Sequence, residues 1–328
     1  MEHNTPNESN PNNSSENTFQ ESQPFVLPKP ILEEDKRNWV RKSLISLGIY
    51  AFLFYAIFDQ ELIYIAAVLV VLMIHEMGHF FAMKLFNYTN VKLFVLPLLG
   101  AYVTGKKSLI SQRQMSVVIL AGPVPGIIVG FCLLMYTLNF PNERIHMLGQ
   151  IFLLLNVFNL LPFIPLDGGR LLETLFINNN HTIRIIFTSI SILVLIALFI
   201  KLGNLFFLII PVSMVIDMIM EIKNQKIRNY LNQEHINYVV DYSELPNKHY
   251  WTIRDCIVLS FSKRYAIVEA GVQNYSPLEG SLIQHVIAVL KTPFIKDVKA
   301  FEKIAIVISY LFFLIVLPCI YVFYKFYA

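Results

Sequence analysis

The chain has 328 residues, of which 55% are hydrophobic, and its mean hydropathy is +0.54. Soluble domains carry about 45–50% apolar residues, and the excess here is concentrated in blocks, which predicts a polytopic membrane protein. The net charge of +3 does not suggest a nucleic-acid partner, and the three cysteines are too scattered to build a disulfide framework or a C-x-x-C metal site.

Residues 1–38 are predicted to form a disordered cytoplasmic tail. Up to residue 35 they are rich in Asn, Ser, Pro and Glu, with almost no large apolar side chain before Phe19. Such a stretch cannot bury enough surface to fold alone. It lacks a basic region followed by an apolar core, so it does not read as a cleaved signal peptide.

The fold class predicted from the apolar blocks is an all-α polytopic membrane protein with about six to seven transmembrane helices. Residues 39–220 form the transmembrane core, and 304–328 carry the C-terminal helix. The intervening 221–303 are polar enough for a small soluble or interfacial segment, to which no fold is assigned. The predicted spans are 39–58, 62–86, 115–138, 145–161, 183–200, 205–220 and 304–326.

A different element is predicted between the second and third spans. Residues 91–105 read as two short extended pieces broken at Pro97 and Gly100, too interrupted for a spanning helix. A hairpin-like or re-entrant segment fits better, and such backbone is tolerated at membrane depth only where protein or a wet cavity covers it.

The distribution of basic residues predicts the orientation. The N-terminal flank and the segments 84–113 and 221–303 hold most of the lysines and arginines, whereas the other connectors hold few. With seven spans, the N-terminus lies in the cytoplasm and the C-terminus outside.

The second span contains the pattern H-E-x-x-H. Residues four apart share a helix face, so His75 and His79 can present two imidazoles to one ion. Glu76 would sit beside that ion, placed to take a proton from a metal-activated water. This is the arrangement of a zinc hydrolase. Leu62 to Ile74 carry no charge, however, so the helix is apolar on nearly every face, as expected for one surrounded by lipid or other membrane helices.

A chance occurrence of the pattern is the plain alternative. At eight histidines in the chain, H-E-x-x-H arises by frequency in on the order of one chain in a hundred. Two histidines and a glutamate inside hydrocarbon are costly, and such residues are a functional site by default. The metal-site interpretation is therefore favoured.

Asp167 is predicted as the third ligand, because a catalytic zinc usually has three protein ligands and one open position. It follows a span and a helix break at Pro162 and Pro165, and Gly168-Gly169 allows close backbone approach. As an alternative, Asp167 caps a helix that begins near Gly168. Because H-E-x-x-H supplies only two of the three ligands, the ligand role of Asp167 is favoured.

The segment His75-Glu76-Met77-Gly78-His79, together with the stretch from Asn159 to Arg170, resembles the site-2 protease family of intramembrane zinc metalloproteases. The likeness covers roughly residues 60–175. It implies a helical membrane core in which His75, His79 and Asp167 bind Zn²⁺ and Glu76 activates water. It also implies cleavage of membrane-spanning protein substrates, with the site near the cytoplasmic face.

Two further pieces are similar to the family. Leu96 to Val103 resembles a re-entrant β-hairpin that pairs with extended substrate, which makes Leu98, Leu99 and Gly100 candidate substrate-binding residues. Asn159 matches an asparagine that could hold the substrate backbone or an oxyanion, or could instead form interhelical hydrogen bonds.

Ala121-Gly122-Pro123 resembles the start of a third family pattern, but position 126 is Gly where that pattern has Asn. The departure leaves a polar role for the third span without support.

The function predicted is a zinc-dependent intramembrane endopeptidase in the lipid bilayer. One alternative is a catalytically silent membrane binding or scaffold protein of the same fold, against which the intact motif residues argue. Another is a transporter, since broken helices and intramembrane charges occur there too. No internal repeat of the span pattern is visible, which disfavours the transporter.

Overall fold

The computed structural model describes residues 26–32, 62–96, 100–177, 180–203 and 208–327, together with residues 41, 45, 48, 49 and 52. Most of the predicted first span, 39–58, therefore lies outside the described residues. Leu98 and Leu99, at the tip of the hairpin, lie outside them as well.

Most of the described chain is helical. The helices are α1 (Leu62–Leu85), α2 (Gln112–Ala121), α3 (Pro123–Asn139), α4 (Glu143–Asn159), α5 (Asp167–Leu172), α6 (His181–Lys201), α7 (Ile209–Gln233), α8 (Asn247–Ser260), α9 (Glu279–Val289), α10 (Ala300–Leu311) and α11 (Leu317–Tyr327). The strands are β1 (Thr89–Leu96), β2 (Gly100–Lys106), β3 (Ile110–Ser111) and β4 (Phe294–Ile295). Short π-helical segments follow α5 and separate α10 from α11.

Four helical stretches among the described residues are long and apolar enough to cross a membrane: Ile63–Leu85, Gln112–Asn139, His181–Lys201 and Ala300–Phe326. They establish a membrane protein. The second stretch joins α2 and α3, because Pro123 opens α3 at a position where proline needs no backbone N–H donor. α4 has 17 residues and overlaps most of the predicted span 145–161, ending at Asn159. The total of six to seven spans stays a prediction.

An apolar core of the membrane part packs against the non-helical segment between α4 and α5. Ile127 and Leu134 of α3 pack with Leu153 of α4 and with Leu160, all nearly or wholly buried. From the C-terminal span, the Tyr310 hydroxyl donates to the carbonyl of Leu160 at 2.8 Å. Leu160 is thus held by its side chain and by its backbone carbonyl, and this fixes the start of the segment that leads into α5.

The predicted extended segment forms an antiparallel hairpin of β1 and β2. Leu93 pairs with Val103 and Leu96 with Gly100, with an irregularity between Thr89 and Lys92. The first strand ends immediately before Pro97, which cannot donate a ladder hydrogen bond. A hairpin was expected here, and the structure forms it.

Residues 224–290 form a compact unit, called the helical domain below. Its core joins the end of α7 to α8 and α9 through Leu231, Tyr250, Ile257 and Leu282. The predicted domain boundary at residue 220 falls inside α7, which runs on as one helix from the membrane part, so the two parts share an element.

The prediction of a disordered tail over 1–38 is corrected for residues 26–32, and the rest of the tail lies outside the described residues. Val26, Leu27 and Leu32 pack against the core of the helical domain. The composition argument failed here because it counted only the tail's own apolar surface. The surface that this segment covers belongs to another part of the chain.

A second small sheet was not predicted from the sequence. β3 and β4 pair in parallel, and Asp297 accepts from the backbone N–H of Arg113 at 3.0 Å and from the Ser111 hydroxyl at 2.5 Å. This contact ties the segment that follows the helical domain to the start of α2.

Candidate metal centre

His75 and His79 lie one turn apart on α1 and face the same way. Their rings meet edge to face with centroids 4.9 Å apart, and their Nε2 atoms are 3.2 Å apart. Both side chains are buried. The i, i+4 spacing read from the sequence therefore places two imidazole nitrogens at one point.

Asp167 brings a carboxylate to the same point from a second helix. Its Oδ2 lies 3.1 Å from His75 Nε2 and 3.2 Å from His79 Nε2. Asp167 is the first residue of α5, while the N-cap position is held by Leu166, and no side chain caps the helix end by a hydrogen bond. The alternative role of Asp167 as a helix cap is therefore not seen.

Hydrogen bonds on the far side of each ring fix where its lone pair points. His79 Nδ1 lies 2.8 Å from the carbonyl of Val118, which can only accept, so Nδ1 carries the proton. His75 Nδ1 lies 2.7 Å from Asn156 Oδ1, and Asn156 Nδ2 donates to the carbonyl of Phe152. The amide is oriented by that donation, so His75 also donates from Nδ1. In the neutral rings both Nε2 lone pairs then face the carboxylate.

Three acceptor atoms therefore converge with no donor between them. Asp167 Oδ2 is buried without a hydrogen-bond donor among the described residues. A single proton could be shared by at most two of these acceptor atoms, whereas a metal cation can be bound by all three. A tetrahedral zinc with ligands at about 2.0–2.2 Å holds its ligand atoms roughly 3.3 Å apart. The observed separations of 3.1–3.2 Å fit that ion.

Asn156 is the partner that sequence reasoning missed, and Gly126 is the reason it fits. A Cβ at position 126 would lie 2.2 Å from Asn156 Nδ2, a distance that real Cβ contacts do not reach. Asn156 is fully buried. The glycine noted in the sequence thus opens the space in α3 through which an amide on α4 reaches His75. No local signal pairs these residues, because 81 positions separate Asn156 from His75.

Gly122 makes similar room for the other imidazole. A Cβ there would lie 2.3 Å from His79 Nε2. It stands at the junction of α2 and α3, next to the Pro123 that opens α3. The close approach of this junction to α1 therefore depends on a missing side chain.

Glu76 lies beside the two histidines and is 6% exposed. With His75, His79 and Asp167 it lines a cavity of about 580 Å³. A carboxylate so placed adjoins the ligand cluster and a space large enough for several peptide atoms. Geometry therefore allows it to exchange protons with a group in that cavity.

Of the predicted substrate-binding residues, Asn159 is the one that lines the cavity among those the structure describes. Its amide donates to Leu155 of its own helix at 3.2 Å, not to another helix. Gly100 pairs with Leu96 at the end of the hairpin. Val103 of β2 lines the cavity and was not singled out from the sequence. A substrate role for Asn159, Gly100 and the tip residues stays a prediction.

Residues 63–143 match the model of Peptidase family M50. The matched segment includes the H-E-x-x-H helix, the hairpin and α2–α3, and ends at the start of α4. Over these residues the match confirms the family resemblance predicted from the sequence.

Two curated relatives are similar over about a third of the chain. A zinc metalloprotease of Methanocaldococcus jannaschii is 29% identical over 107 residues, which are 31% of this chain and 31% of the relative. The stage IV sporulation protein FB of Bacillus subtilis is 32% identical over 110 residues, or 33% and 38% of the two chains. The chain thus aligns with only about a third of the length of these relatives. The family and the named activity of the first relative bear out the prediction of Zn²⁺.

A solved structure, the Site-2 Protease from Methanocaldococcus jannaschii, is also similar. The likeness covers 52% of this chain and 84% of that one, with 21% sequence identity and a TM-score of 0.41. A likeness this distant adds nothing to what the ligand geometry and the family match establish.

Replacing Asn156 by Leu is expected to lower zinc affinity about 10- to 100-fold, the usual loss when an outer partner of a histidine ligand is removed. His75 would lose the acceptor that holds its Nδ1–H and its ring orientation. Competition with a chromophoric chelator on the purified protein measures the change. Asn159→Leu is the matched control, one turn along α4, and should leave the affinity unchanged. Equal affinities in the two variants would contradict the role given to Asn156.

Gly126→Ala is expected to lower zinc affinity in the same direction as Asn156→Leu, because the new Cβ displaces the amide. The double variant Gly126→Ala/Asn156→Leu should lose little more than either single variant, since both act on one contact. Additive losses in the chelator assay would show that Gly126 acts elsewhere.

Proposed function

We propose that this chain is a zinc-dependent intramembrane endopeptidase that cleaves membrane-spanning protein substrates. The observation that carries the proposal is the convergence of three acceptor atoms, from His75, His79 and Asp167, next to the buried Glu76. Two of these ligands lie on a helix apolar enough to span a membrane. The M50 match and the zinc metalloprotease relative support a protease role.

The ligand set fits zinc in type as well as spacing. Two neutral imidazoles and one carboxylate leave one position of a tetrahedral site open, as in catalytic rather than structural zinc sites. When bound there, zinc supplies Lewis-acid polarisation of a carbonyl oxygen and lowers the pKa of water.

Glu76 is assigned the proton transfers. Its carboxylate accepts a proton from the attacking water as the water oxygen bonds to the peptide carbon. It then returns the proton to the amide nitrogen as the C–N bond breaks. One water is consumed in the sum, because its hydroxyl ends on the carbonyl carbon and its proton on the amide nitrogen. A burial of 94% keeps competing solvent away from this carboxylate.

The cavity is lined by both apolar and charged side chains. Leu195, Phe199 and Met214 are among the apolar ones, and Arg170, Glu173 and Arg184 are among the charged ones. Ionisable side chains within a membrane protein usually face its interior or a water-filled cavity. The bias of basic residues in the sequence supports an opening of the site on the cytoplasmic side.

A peptide must leave its helix before its carbonyl can be attacked, because helical hydrogen bonds shield that carbonyl. The hairpin offers a way to hold the extended form. β2 contributes Val103 to the cavity wall, and an extended substrate segment could add to the hairpin as a further strand. The scaffold and transporter alternatives gain no support from the described residues.

Glu76→Gln is expected to abolish proteolysis and leave zinc bound, because an amide cannot accept the proton and Glu76 is not a ligand. Zinc content of the purified protein and the appearance of cleaved membrane-protein fragments in expressing cells are the two readouts. Glu269→Gln, the same change at an exposed position, should keep both. Loss of metal, or cleavage at the normal rate, would show the assignment to be wrong.

Asp167→Ala is expected to lower zinc affinity by more than the roughly 10- to 100-fold loss that removing an outer partner causes. Only two imidazoles would remain. Asp217→Ala is the control, because Asp217 lines the same cavity but is not part of the ligand cluster. Stoichiometric zinc in a well-folded Asp167→Ala protein would refute the ligand set.

A further inference from the structure

Residues 26–32 run along the helical domain outside any helix or strand. A residue that precedes proline is restricted to extended conformations, which applies to Leu27 and Lys29. Both the N–H and the carbonyl groups of this backbone are hydrogen-bonded by the domain. The N–H of Leu27 donates to Gln273 Oε1 at 2.9 Å, and the N–H of Lys29 donates to Asn247 Oδ1 at 3.0 Å. The residues between and after them are Pro28 and Pro30, which have no N–H. Every backbone donor from position 27 to 30 is therefore matched.

The backbone carbonyls of this segment are bound by aromatic side chains. Trp251 Nε1–H donates to the carbonyl of Leu27 at 2.7 Å. The hydroxyl of Tyr275 donates to that of Pro28, and the hydroxyl of Tyr242 to that of Pro30, each at 2.8 Å. Aromatic side chains that hydrogen-bond an extended, proline-containing backbone are the means by which other proteins recognise polyproline II segments.

Lys29 inserts its ammonium among three backbone carbonyls of the turn before α8. Nζ donates to Tyr242 O at 2.6 Å, Ser243 O at 2.9 Å and Leu245 O at 2.6 Å. An ammonium has three donors, so donors and acceptors are equal in number. Lys29 Nζ also lies 5.2 Å from the centroid of the Tyr242 ring.

The groups that bind the segment are held in place by the fold of the helical domain. The Arg254 guanidinium, which is almost fully buried, donates to Asn274 O and packs on the Trp251 ring. Glu279 accepts from the backbone N–H of Ser276 at 3.0 Å. These contacts fix the loop that carries Gln273 and Tyr275. The side chains that bind the segment are thus oriented by contacts within the domain.

We infer that the helical domain is a peptide-binding module for extended Leu-Pro-Lys-Pro segments, and that its ligand in this chain is residues 26–32. The domain supplies donors where the segment has carbonyls, and acceptors where it has N–H groups or the ammonium. Packing of Val26, Leu27 and Leu32 on the domain core adds apolar contact. The inference is independent of the metal centre.

The experiment uses the full chain in detergent. The sequence has two tryptophans, and Trp39→Phe leaves Trp251 as the only one that fluoresces. Lys29→Glu places a carboxylate against three carbonyls and should release the segment. Exposure of Trp251, now 2% accessible, should shift its emission to the red and increase acrylamide quenching. Lys248→Glu, the same change at an exposed position on α8, should have no effect.

A synthetic peptide of residues 24–34 is then added to the Lys29→Glu protein. It should reverse the emission shift saturably, and a peptide with Ala at position 29 should bind at least about tenfold more weakly, since charge-assisted hydrogen bonds are lost. An unchanged emission in Lys29→Glu, no response to the peptide, or equal binding of both peptides would overturn the inference.

Two further readouts separate the remaining outcomes. Emission of the starting protein should not depend on its concentration; a red shift on dilution would make a second copy the donor of the segment and overturn the assignment within one chain. Zinc content should be the same in all of these variants, so that failure here and failure of the metal-site assignment are told apart.

Discussion

The site depends on two hydrogen bonds that point away from it. Because Val118 O and Asn156 Oδ1 hold the Nδ1–H groups of His79 and His75, both Nε2 lone pairs are directed at Asp167. Without those anchors each ring could turn or change tautomer, and the three acceptors would move apart. The repulsion among them is the physical basis for cation binding, and the surrounding helices resist its relief by movement.

That resistance comes from close helix packing, which small residues make possible. At Gly122 and Gly126 a single added carbon would collide with the His79 ring and with the Asn156 amide, respectively. On the other side, the hydroxyl of Tyr310 holds the carbonyl of Leu160 ahead of α5. The two histidines on α1, their hydrogen-bond partners on α2 and α4, and the carboxylate on α5 are therefore held in one arrangement.

Sequence reasoning reached the parts of this arrangement that local rules govern. The spacing of His75 and His79 encodes a shared helix face, and the prolines before Asp167 mark where a helix must restart. Asn156 was out of reach, because a single asparagine in an apolar helix is typical of many interhelical contacts, and its partner is set by packing. Composition likewise placed residues 26–32 in a free tail, since the groups that bind them, such as Trp251 and Tyr242, lie over 200 positions away.

A series of charged contacts connects the end of α5, the helix that carries Asp167, to the helical domain. Arg184 Nε lies 2.6 Å from Glu173, directly after α5, and its Nη1 lies 3.6 Å from Glu221 on α7. Arg228 pairs with Glu221 at 2.7 Å and donates to the carbonyls that end α9. Exposed pairs such as Arg184–Glu173 contribute little by themselves, but Arg228 is 3% exposed, and removing its partners would leave a buried charge. Arg228 therefore holds the end of α9 against α7, and Arg184 connects α7 to the residue that follows α5.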